Sequence, residues 1–119
     1  MKILVLNGSP KKSNSNTMKL TNKFLEGLDS INKNSVNILN INELKISSCK
    51  GCFNCWTRTS GKCVISDDMD MVLKEYIESD LIIWSFPLYY FSMPSQAKAL
   101  LDRLLPLNLP FMDNNKNSG

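Results

Sequence analysis

Four closely spaced cysteines are the residues of this chain whose type and spacing are best suited to chemistry. They are Cys49, Cys52, Cys55 and Cys63, separated by two, two and seven residues. Three cysteines at successive two-residue spacings can wrap a compact centre, as in ferredoxin-type iron–sulfur ligation, and a fourth completes an all-thiolate set. Zinc more often uses two separated Cys-x2-Cys pairs, so the compact triple favours a [4Fe–4S] cluster over zinc. A metal-free loop that packs around its thiols is the remaining alternative.

The segment after the first apolar run has the composition of a phosphate-binding loop. Ser9, Ser15 and Thr17 offer hydroxyl groups, and Lys11 and Lys12 add positive potential. A helix that begins beside them would present unpaired backbone N–H groups and a partial positive charge to an anion. Because neither Gly-x-Gly-x-x-Gly nor a Walker sequence is present, the loop favours a terminal monophosphate over a dinucleotide or a triphosphate. A well-capped strand-to-helix turn without a ligand would have the same composition.

Composition excludes several classes of function. The 119 residues include no histidine, which excludes Ser-His and Cys-His catalysis and HExxH zinc sites. The net charge is +3, and no Lys/Arg cluster is interleaved with aromatic residues, which argues against nucleic-acid binding. No apolar run approaches the roughly 20 residues of a membrane span, and the N-terminus has no signal-peptide pattern. We therefore expect a cytoplasmic protein that does not contact membranes.

Apolar runs and helical spacings alternate along the chain and predict the elements that position these residues. Lys2–Asn7 and Leu81–Phe86 have the composition of buried strands, and Val36–Ile41 that of a strand nearer the sheet edge. In three of the segments between or after these strands, apolar residues recur at the spacing of one face of an α-helix. Their apolar positions are Leu20, Phe24 and Leu28 in the first, Met69, Val72, Leu73, Tyr76 and Ile77 in the second, and Ala97, Leu100, Leu101, Leu104 and Leu105 in the third.

Polar residues and prolines mark the ends of these helices. Asp67 is expected to cap the second helix. Pro94 is expected in the first turn of the third helix, and Pro106 is expected to end it. The neighbouring Asp102 and Arg103 are expected to form a local or subunit-interface ion pair.

The order of the elements predicts an α/β fold. Strands that alternate with helices through short connections form a parallel sheet, here a doubly wound sheet in three α/β/α layers. Only three strands are predicted, fewer than such sheets usually contain, and residues 108–119 have no periodicity. We therefore expect residues 1–119 to form the N-terminal part of one longer domain, with a cysteine loop, residues 49–63, inserted after the second strand. A partner subunit that covers the exposed sheet edge is the alternative.

Residues 1 to about 105 resemble the flavodoxin-like NADPH-dependent FMN reductase family. The resemblance rests on segments in the family's order: Ile3–Lys11 with Asn16 and Thr17, the cysteine loop, Asp67–Met69, Ser79–Ile82, Phe86–Tyr90, and Lys98 with Asp102 and Arg103. It implies that FMN binds between the first and third strands, where the strand order reverses. The implied phosphate ligands are Ser9, Lys11, Ser15, Asn16 and Thr17, and the implied isoalloxazine loop is Pro87, Leu88, Tyr89 and Tyr90.

The resemblance also implies a function. It predicts an FMN-binding oxidoreductase that passes electrons from NAD(P)H, or from a redox-protein partner, to a small-molecule acceptor, and that assembles as a homodimer or tetramer. One branch of the family, the iron–sulfur flavoproteins, binds a [4Fe–4S] cluster through a similar cysteine motif, whereas other relatives keep a similar loop as plain flavoproteins. A non-catalytic carrier of electrons through flavin and cluster is the alternative, and a zinc-stabilised interaction module is a third. No catalytic side chain is predicted, because a flavin carries the chemistry itself.

Overall fold

Strands and helices alternate along the computed structural model, which describes residues 1–11, 14–90 and 92–107. Its strands are β1 (Lys2–Asn7), β2 (Ser35–Asn40) and β3 (Leu81–Ser85), and its helices are α1 (Asn16–Asp29), α2 (Met69–Glu78) and α3 (Ser95–Asp102). Short 3-10 turns cover Ile41–Glu43, Asn54–Trp56 and Leu105–Leu107. The predicted features at Lys12 and in residues 108–119 lie outside the described residues. No helix within those described ranges is long and apolar enough to cross a membrane.

β1 lies at the centre of the sheet, whose order is β2-β1-β3 with both pairings parallel. Val5 of β1 is opposite Ile38 of β2 on one side and Ile83 of β3 on the other. The chain therefore places its second strand on one side of β1 and its third strand on the other. Such a reversal of strand order creates the crevice at which open α/β sheets bind ligands. The predicted parallel α/β sheet is confirmed.

The two faces of β1 contribute to separate hydrophobic cores. Leu4 and Leu6 pack with apolar side chains from α2, α3 and the segment after β2. Ile3 and Val5 pack under α1. Because successive side chains of a strand point to opposite faces, the uninterrupted apolar run of β1 supplies both cores and three α/β/α layers result. The other buried members are Ile41, Ile46, Met69, Val72, Ala97, Leu100 and Leu104 in the first core, and Met18 and Leu25 in the second.

The predicted apolar stripe of α1 is not the buried face of the helix. Leu20 is 72% exposed and Phe24 is 53% exposed, while Leu28 is half-buried. Thr21 faces the sheet instead, where its hydroxyl lies 3.2 Å from the Ser85 hydroxyl of β3. The prediction from apolar residues alone was wrong here because a polar residue occupies the centre of the buried face.

β3, α2 and α3 also differ from the prediction in detail. The residues Leu81–Trp84 are half-buried rather than buried, because β3 is an edge strand among the described residues. On α2, Ile77 is 66% exposed. Pro94 is the N-cap of α3, and the helix ends at Asp102 instead of continuing to Pro106. Pro106 lacks an N–H and disfavours helical backbone in the residue before it, so the chain has already changed to a 3-10 turn.

Candidate functional site

The turn after β1 is held by hydrogen bonds between residues close in sequence. The Asn7 side-chain oxygen accepts the Ser9 N–H at 3.2 Å, and the Ser9 hydroxyl oxygen accepts the Lys11 N–H at 3.3 Å. The Asn7 side chain also donates to the Asn40 side-chain oxygen of β2 at 3.1 Å. Both Asn7 and Ser9 are buried. The polar residues that end β1 therefore fix the conformation of the predicted phosphate loop.

Gly8 brings this turn close to the end of β3. Its N–H donates to the Ser85 carbonyl at 2.8 Å. A Cβ at Gly8 would lie 3.2 Å from the Phe86 Cβ and 3.5 Å from the Ala97 Cβ. A side chain here would push the turn away from β3, so the absence of a Cβ allows the carboxyl ends of β1 and β3 to form one surface.

α1 begins at the predicted phosphate loop and is capped by Ser15. The Ser15 hydroxyl oxygen accepts the Met18 N–H at 3.1 Å, and the Ser15 carbonyl accepts the Lys19 N–H at 3.1 Å. The first N–H groups of a helix, here those of Asn16 and Thr17, have no acceptor within the helix. Together with the positive end of the helix dipole, they are suited to an anion.

These groups line one cavity of about 430 Å³ beside the carboxyl ends of β1 and β3. Pro87 and Tyr89, from the loop after β3, complete the lining. Leu88 and Tyr90 do not line the cavity and are 75% and 96% exposed. The structure therefore brings seven of the nine predicted flavin-site residues together. The lining residues are Ser9, Pro10, Lys11, Ser15, Asn16, Thr17, Pro87 and Tyr89.

The loop after β3 makes a tight turn that presents Tyr89 at the cavity. The Tyr89 N–H donates to the Ser92 carbonyl at 2.7 Å, and the Ser92 N–H donates back to the Tyr89 carbonyl at 3.0 Å. Between them, Tyr90 has a φ of 48°, in the left-handed region that non-glycine residues rarely adopt. Such backbone strain persists where the surrounding structure enforces it, and it is concentrated at ligand sites.

The four cysteines line a second, much smaller cavity, of about 20 Å³. All four thiols are free; Cys55 is buried, Cys63 is half-buried, and Cys49 and Cys52 are exposed. Burial raises the pKa of Cys55. Within the part of the chain that the structure describes, no three Cys, Asp or Glu side chains are placed to hold a metal ion. The thiols therefore share a cavity but are not arranged as ligands of a single ion.

The cysteine loop folds back on itself through positive-φ residues. Phe53 has a φ of 57°, and Gly51 and Gly61 have φ values of 67° and 81°. The Gly61 N–H donates to the Cys55 carbonyl at 2.7 Å, which closes the loop around the buried thiol. The Phe53 and Trp56 rings pack against each other with centroids 4.9 Å apart. A strained non-glycine residue therefore occurs in this loop as well as in the loop after β3.

The cysteine loop is joined to the rest of the domain by an ion pair between Arg103 and Asp67. The guanidinium donates to both Asp67 carboxylate oxygens, at 2.9 and 3.0 Å, and Arg103 is only 1% exposed. It also donates to the carbonyls of Ser47 and Ile65, at 2.9 and 3.3 Å. The predicted pair between Asp102 and Arg103 is therefore wrong: Asp102 bonds to Lys98, and Arg103 holds the two ends of the segment that contains the cysteines.

Asp67 accepts hydrogen bonds from more groups than a helix-capping role alone would require. The N-cap residue of α2 is Asp68, one residue later than predicted, and its side chain makes no capping bond. The Asp67 carboxylate nevertheless accepts the Met69 N–H of α2 at 3.0 Å, and also the Ser47 N–H at 2.9 Å. Burial tends to raise the pKa of Asp67, but hydrogen bonds from Arg103 and from these two N–H groups outweigh it and lower the pKa to about 2. Burial likewise tends to lower the pKa of Arg103, but the hydrogen bonds to the Asp67 carboxylate and the proximity of Cys63 raise it. Both groups are therefore charged at neutral pH.

Sequence reasoning missed the role of Arg103, although the sequence carries a signal for it. Arg103 lies three residues after Leu100 and one before Leu104, which places it on the apolar side of the predicted third helix. A charged residue at a core position is almost never buried without a partner. That position predicts a buried ion pair; which carboxylate completes the pair depends on the fold.

Comparison with known proteins places this geometry in a family. Residues 1–119 match a family model described as a flavodoxin-like fold. The chain is 32% identical to an iron–sulfur flavoprotein of Methanocaldococcus jannaschii, over 100% of this chain and 60% of that protein. It is 28% identical to an FMN-dependent NADH:quinone oxidoreductase of Pseudoalteromonas atlantica, over 86% of this chain and 54% of that protein. An FMN-dependent NADH-azoreductase from Bacillus anthracis, solved with FMN, superposes with a TM-score of 0.63 at 20% identity, over 86% of this chain and 54% of that one.

These similarities establish the family and the fold. The chain spans between 45% and 60% of the length of the first curated relatives that it matches. The likeness to the azoreductase, at 20% identity, lies in the fold. The family match covers every residue of the chain, and the strand order and the layers agree with it. This chain therefore belongs to the family of proteins with a flavodoxin-like fold.

Proposed function

We propose that this chain forms the FMN-binding part of an oxidoreductase. The observation that carries the proposal is the single cavity in which the loop between β1 and α1 meets the loop after β3. The hydroxyl groups of Ser9 and Ser15 and the first-turn N–H groups of α1 suit a terminal phosphate. Tyr89, from the other loop, offers a flat apolar face that suits a flavin ring. Bound FMN would supply hydride and electron transfer.

The residues around the cavity would bind and orient the flavin. Ser9 and Ser15 are held by local hydrogen bonds before any ligand arrives, so little ordering would accompany phosphate binding. The tight turn at Tyr89 would hold the ring in a fixed position relative to β3. The FMN dependence of the Pseudoalteromonas atlantica relative and the FMN bound to the Bacillus anthracis neighbour support the same cofactor here.

Titration with FMN and with riboflavin tests this proposal, because the two flavins differ by the phosphate alone. We expect the purified protein to bind FMN at least about tenfold more tightly than riboflavin, since one charge-assisted hydrogen bond is worth about 1.5–3 kcal/mol. Replacing Ser9 by Ala or Thr17 by Val should weaken FMN and leave riboflavin unchanged. Ser30→Ala, an exposed serine at the other end of α1, is the matched control. Equal affinity for both flavins, or no affinity for either, would contradict the proposal.

We further propose NAD(P)H as the electron donor and a small quinone-like or azo-type molecule as the acceptor. The reactions in the names of the relative and the neighbour support this choice. Steady-state oxidation of NADH and of NADPH with a quinone acceptor measures it. Negligible turnover by FMN-loaded protein would favour the second candidate, a carrier that passes electrons between proteins without oxidising nicotinamide.

The observation that favours a second redox group is the shared cavity of the four cysteines. We propose that Cys49, Cys52, Cys55 and Cys63 hold a [4Fe–4S] cluster, which would supply one-electron transfer. Four thiols and one buried guanidinium suit a group of net negative charge, and a cluster spaces its thiolates more widely than a single zinc ion does. Cys49 and Cys52 lie in an exposed part of the loop, and the cavity that the four thiols line has a volume of about 20 Å³.

Metal analysis of anaerobically purified protein tests the cluster. We expect iron and acid-labile sulfide in equal amounts, with about four of each per chain, as a cubane cluster requires. Zinc in place of iron would support the zinc-stabilised interaction module instead. Flavin without either metal would leave a plain flavoprotein with a structural cysteine loop.

The outer edge of β3 supports a proposal about domain organisation. We propose that residues 1–119 are the N-terminal part of one flavodoxin-like domain and that a further strand pairs with β3. The half-buried residues of β3 and the greater length of the relatives support it. A homodimer or tetramer stays a prediction, which the mass of the purified protein in solution would test.

A further inference from the structure

Two buried side-chain N–H groups of the described residues have no hydrogen-bond partner, and both belong to the region of the cysteine loop. They are Arg103 Nε and Trp56 Nε1. Buried donors without an acceptor are rare in folded proteins, and each one calls for an explanation, such as a redox role or a group that binds beside it. Arg103 lines the cavity of the four thiols, whereas Trp56 does not. Arg103 is therefore the donor that can be assigned to that cavity.

The guanidinium of Arg103 is fixed in orientation by its other two nitrogen atoms. These bond to the Asp67 carboxylate and to the carbonyls of Ser47 and Ile65. Because the guanidinium is planar, these bonds also fix the direction of the Nε–H. Arg103 is 1% exposed, so water does not compete for that donor.

The cavity offers Arg103 Nε few acceptors other than sulfur. Lys50 and Asp102 are the other charged residues of the lining; both are exposed, and Asp102 is paired with Lys98. Apart from the cysteines, the remaining lining is apolar: Phe53, Val64, Ile65, Leu105 and Pro106. An acceptor bound by the four thiols would thus meet one buried cationic donor in apolar surroundings.

We infer that Arg103 Nε donates a hydrogen bond to a sulfur atom of the iron–sulfur group held by the four cysteines and thereby raises its reduction potential. This inference rests on the proposed cluster. Reduction adds one electron to the cluster, while no bond breaks and no proton moves on Arg103. The added negative charge strengthens the hydrogen bond, so the donor stabilises the reduced form more than the oxidised form.

A redox titration of three variants, monitored by electron paramagnetic resonance with dithionite as the reductant, tests this inference. Arg103→Lys keeps the positive charge but loses the directed Nε–H, so we expect reduction to become about tenfold less favourable. For a one-electron couple that is about 59 mV toward lower potential. Asp67→Asn keeps Arg103 Nε and removes a nearby negative charge, so its potential should stay or rise. Arg58→Lys, at an exposed position of the same loop, should match the unaltered protein.

The lower potential expected for Arg103→Lys, against the unchanged or higher potential expected for Asp67→Asn, separates a sulfur donor from a structural link. Both substitutions weaken the ion pair that holds the loop, so a purely structural role would change both variants alike. Equal shifts in the same direction, or equal loss of iron from both, would overturn the inference. FMN binding, measured on the same samples, reports whether each variant has folded.

A second measurement needs no change at Arg103. In the Arg58→Lys protein, arginine labelled with nitrogen-15 at Nε places the label at Arg103 Nε alone, because the sequence has only these two arginines. Pulsed electron paramagnetic resonance of the reduced cluster should show one coupled nitrogen-15, and an uncoupled label would overturn the inference. A protein without iron and sulfide would remove the proposed cluster and this inference together. Iron without the coupling would remove the inference and leave the cluster in place.

Discussion

The phosphate loop and the cysteine loop are both irregular, but they are stabilised over very different distances in sequence. In the phosphate loop, several hydrogen bonds join residues two or three positions apart, such as Ser9 to Asn7 and Met18 to Ser15. Longer-range bonds, from Gly8 to Ser85 and from Asn7 to Asn40, attach the turn to the neighbouring strands. The base of the cysteine loop is held by Arg103, which reaches back 36 positions to Asp67 and 56 positions to Ser47. The internal conformation of the first loop is therefore specified largely by its own residues, whereas the base of the second depends on a residue far along the chain.

This difference also separates the two loops energetically. A local hydrogen bond orders little additional chain, and its loss costs about 1 kcal/mol. A buried ion pair that closes a long segment leaves an uncompensated charge when one partner is removed. The cysteine loop is therefore expected to be the more fragile of the two sites.

Replacing Arg103 by Ala should have the largest effect on stability. Asp67 would remain charged and mostly buried, and two backbone carbonyls would lose their donor, so we expect a loss of about 3–5 kcal/mol. Urea unfolding of the purified protein measures the change. Arg58→Ala, at an exposed position of the cysteine loop, should change the free energy of unfolding by less than about 0.5 kcal/mol. A loss below about 1 kcal/mol for Arg103→Ala would show that the loop is held in another way.

Acid should also weaken the ion pair between Asp67 and Arg103, with a smaller loss in the free energy of unfolding than Arg103→Ala causes. The pKa of Asp67 falls from 3.8 to about 2 on folding, so its contribution is complete above pH 4 and is lost as the pH falls from about 4 to about 2. A shift of this size corresponds to about 2 kcal/mol. Unfolding curves measured between pH 2 and pH 6 should show this slope.

The Asp67→Asn variant should lack that part of the pH dependence, because an amide does not titrate in this range. Asp70→Asn, at an exposed position in the first turn of α2, three residues after Asp67, is the matched control and should retain it. An identical acid profile for the Asp67→Asn and unaltered proteins would contradict the assignment of the low pKa to Asp67.

The local character of the phosphate loop explains why its conformation follows from the sequence, whereas its binding of a phosphate stays a prediction. The apolar run of β1, the glycine at its end and the Ser15 cap each depend on neighbouring residues, and the structure contains all three. Seven of the residues that the family resemblance implies for a flavin site line one cavity, five from this loop and two from the loop after β3. Tyr90 and Leu88 lie outside it, because their positions depend on the left-handed turn at Tyr90, which no residue preference indicates.

Contacts between residues far apart in sequence could not be predicted from the sequence. The spacing of the cysteines predicts a common centre, but the pairing of Arg103 with Asp67 depends on how α3 packs against the start of α2. The buried face of α1 was missed for a related reason. Thr21 faces the sheet because it meets Ser85 of β3, 64 residues later, and an apolar pattern within one helix contains no information about that contact.

Replacing Ser15 by Ala should have the smallest effect on stability. It tests whether a change in the phosphate loop leaves the cysteine loop intact. The Ser15 hydroxyl caps α1 through the Met18 N–H, and loss of such a cap costs about 1 kcal/mol. Because that bond lies within four residues of sequence, the cysteine loop should be unaffected. The rate at which a thiol reagent modifies Cys55, which is buried, measures the integrity of that loop. We expect the rate to stay unchanged in Ser15→Ala and to rise in Arg103→Ala.

A double variant completes this test. The phosphate loop and the cysteine loop share no hydrogen bond among the described contacts, so the losses for Ser15→Ala and Arg103→Ala should add to within about 0.5 kcal/mol. Ser15→Thr retains a hydroxyl cap and should recover most of the stability lost in Ser15→Ala. Faster modification of Cys55 in Ser15→Ala, or strong non-additivity in the double variant, would mean that the two loops are coupled through the sheet and that the phosphate loop is not specified locally.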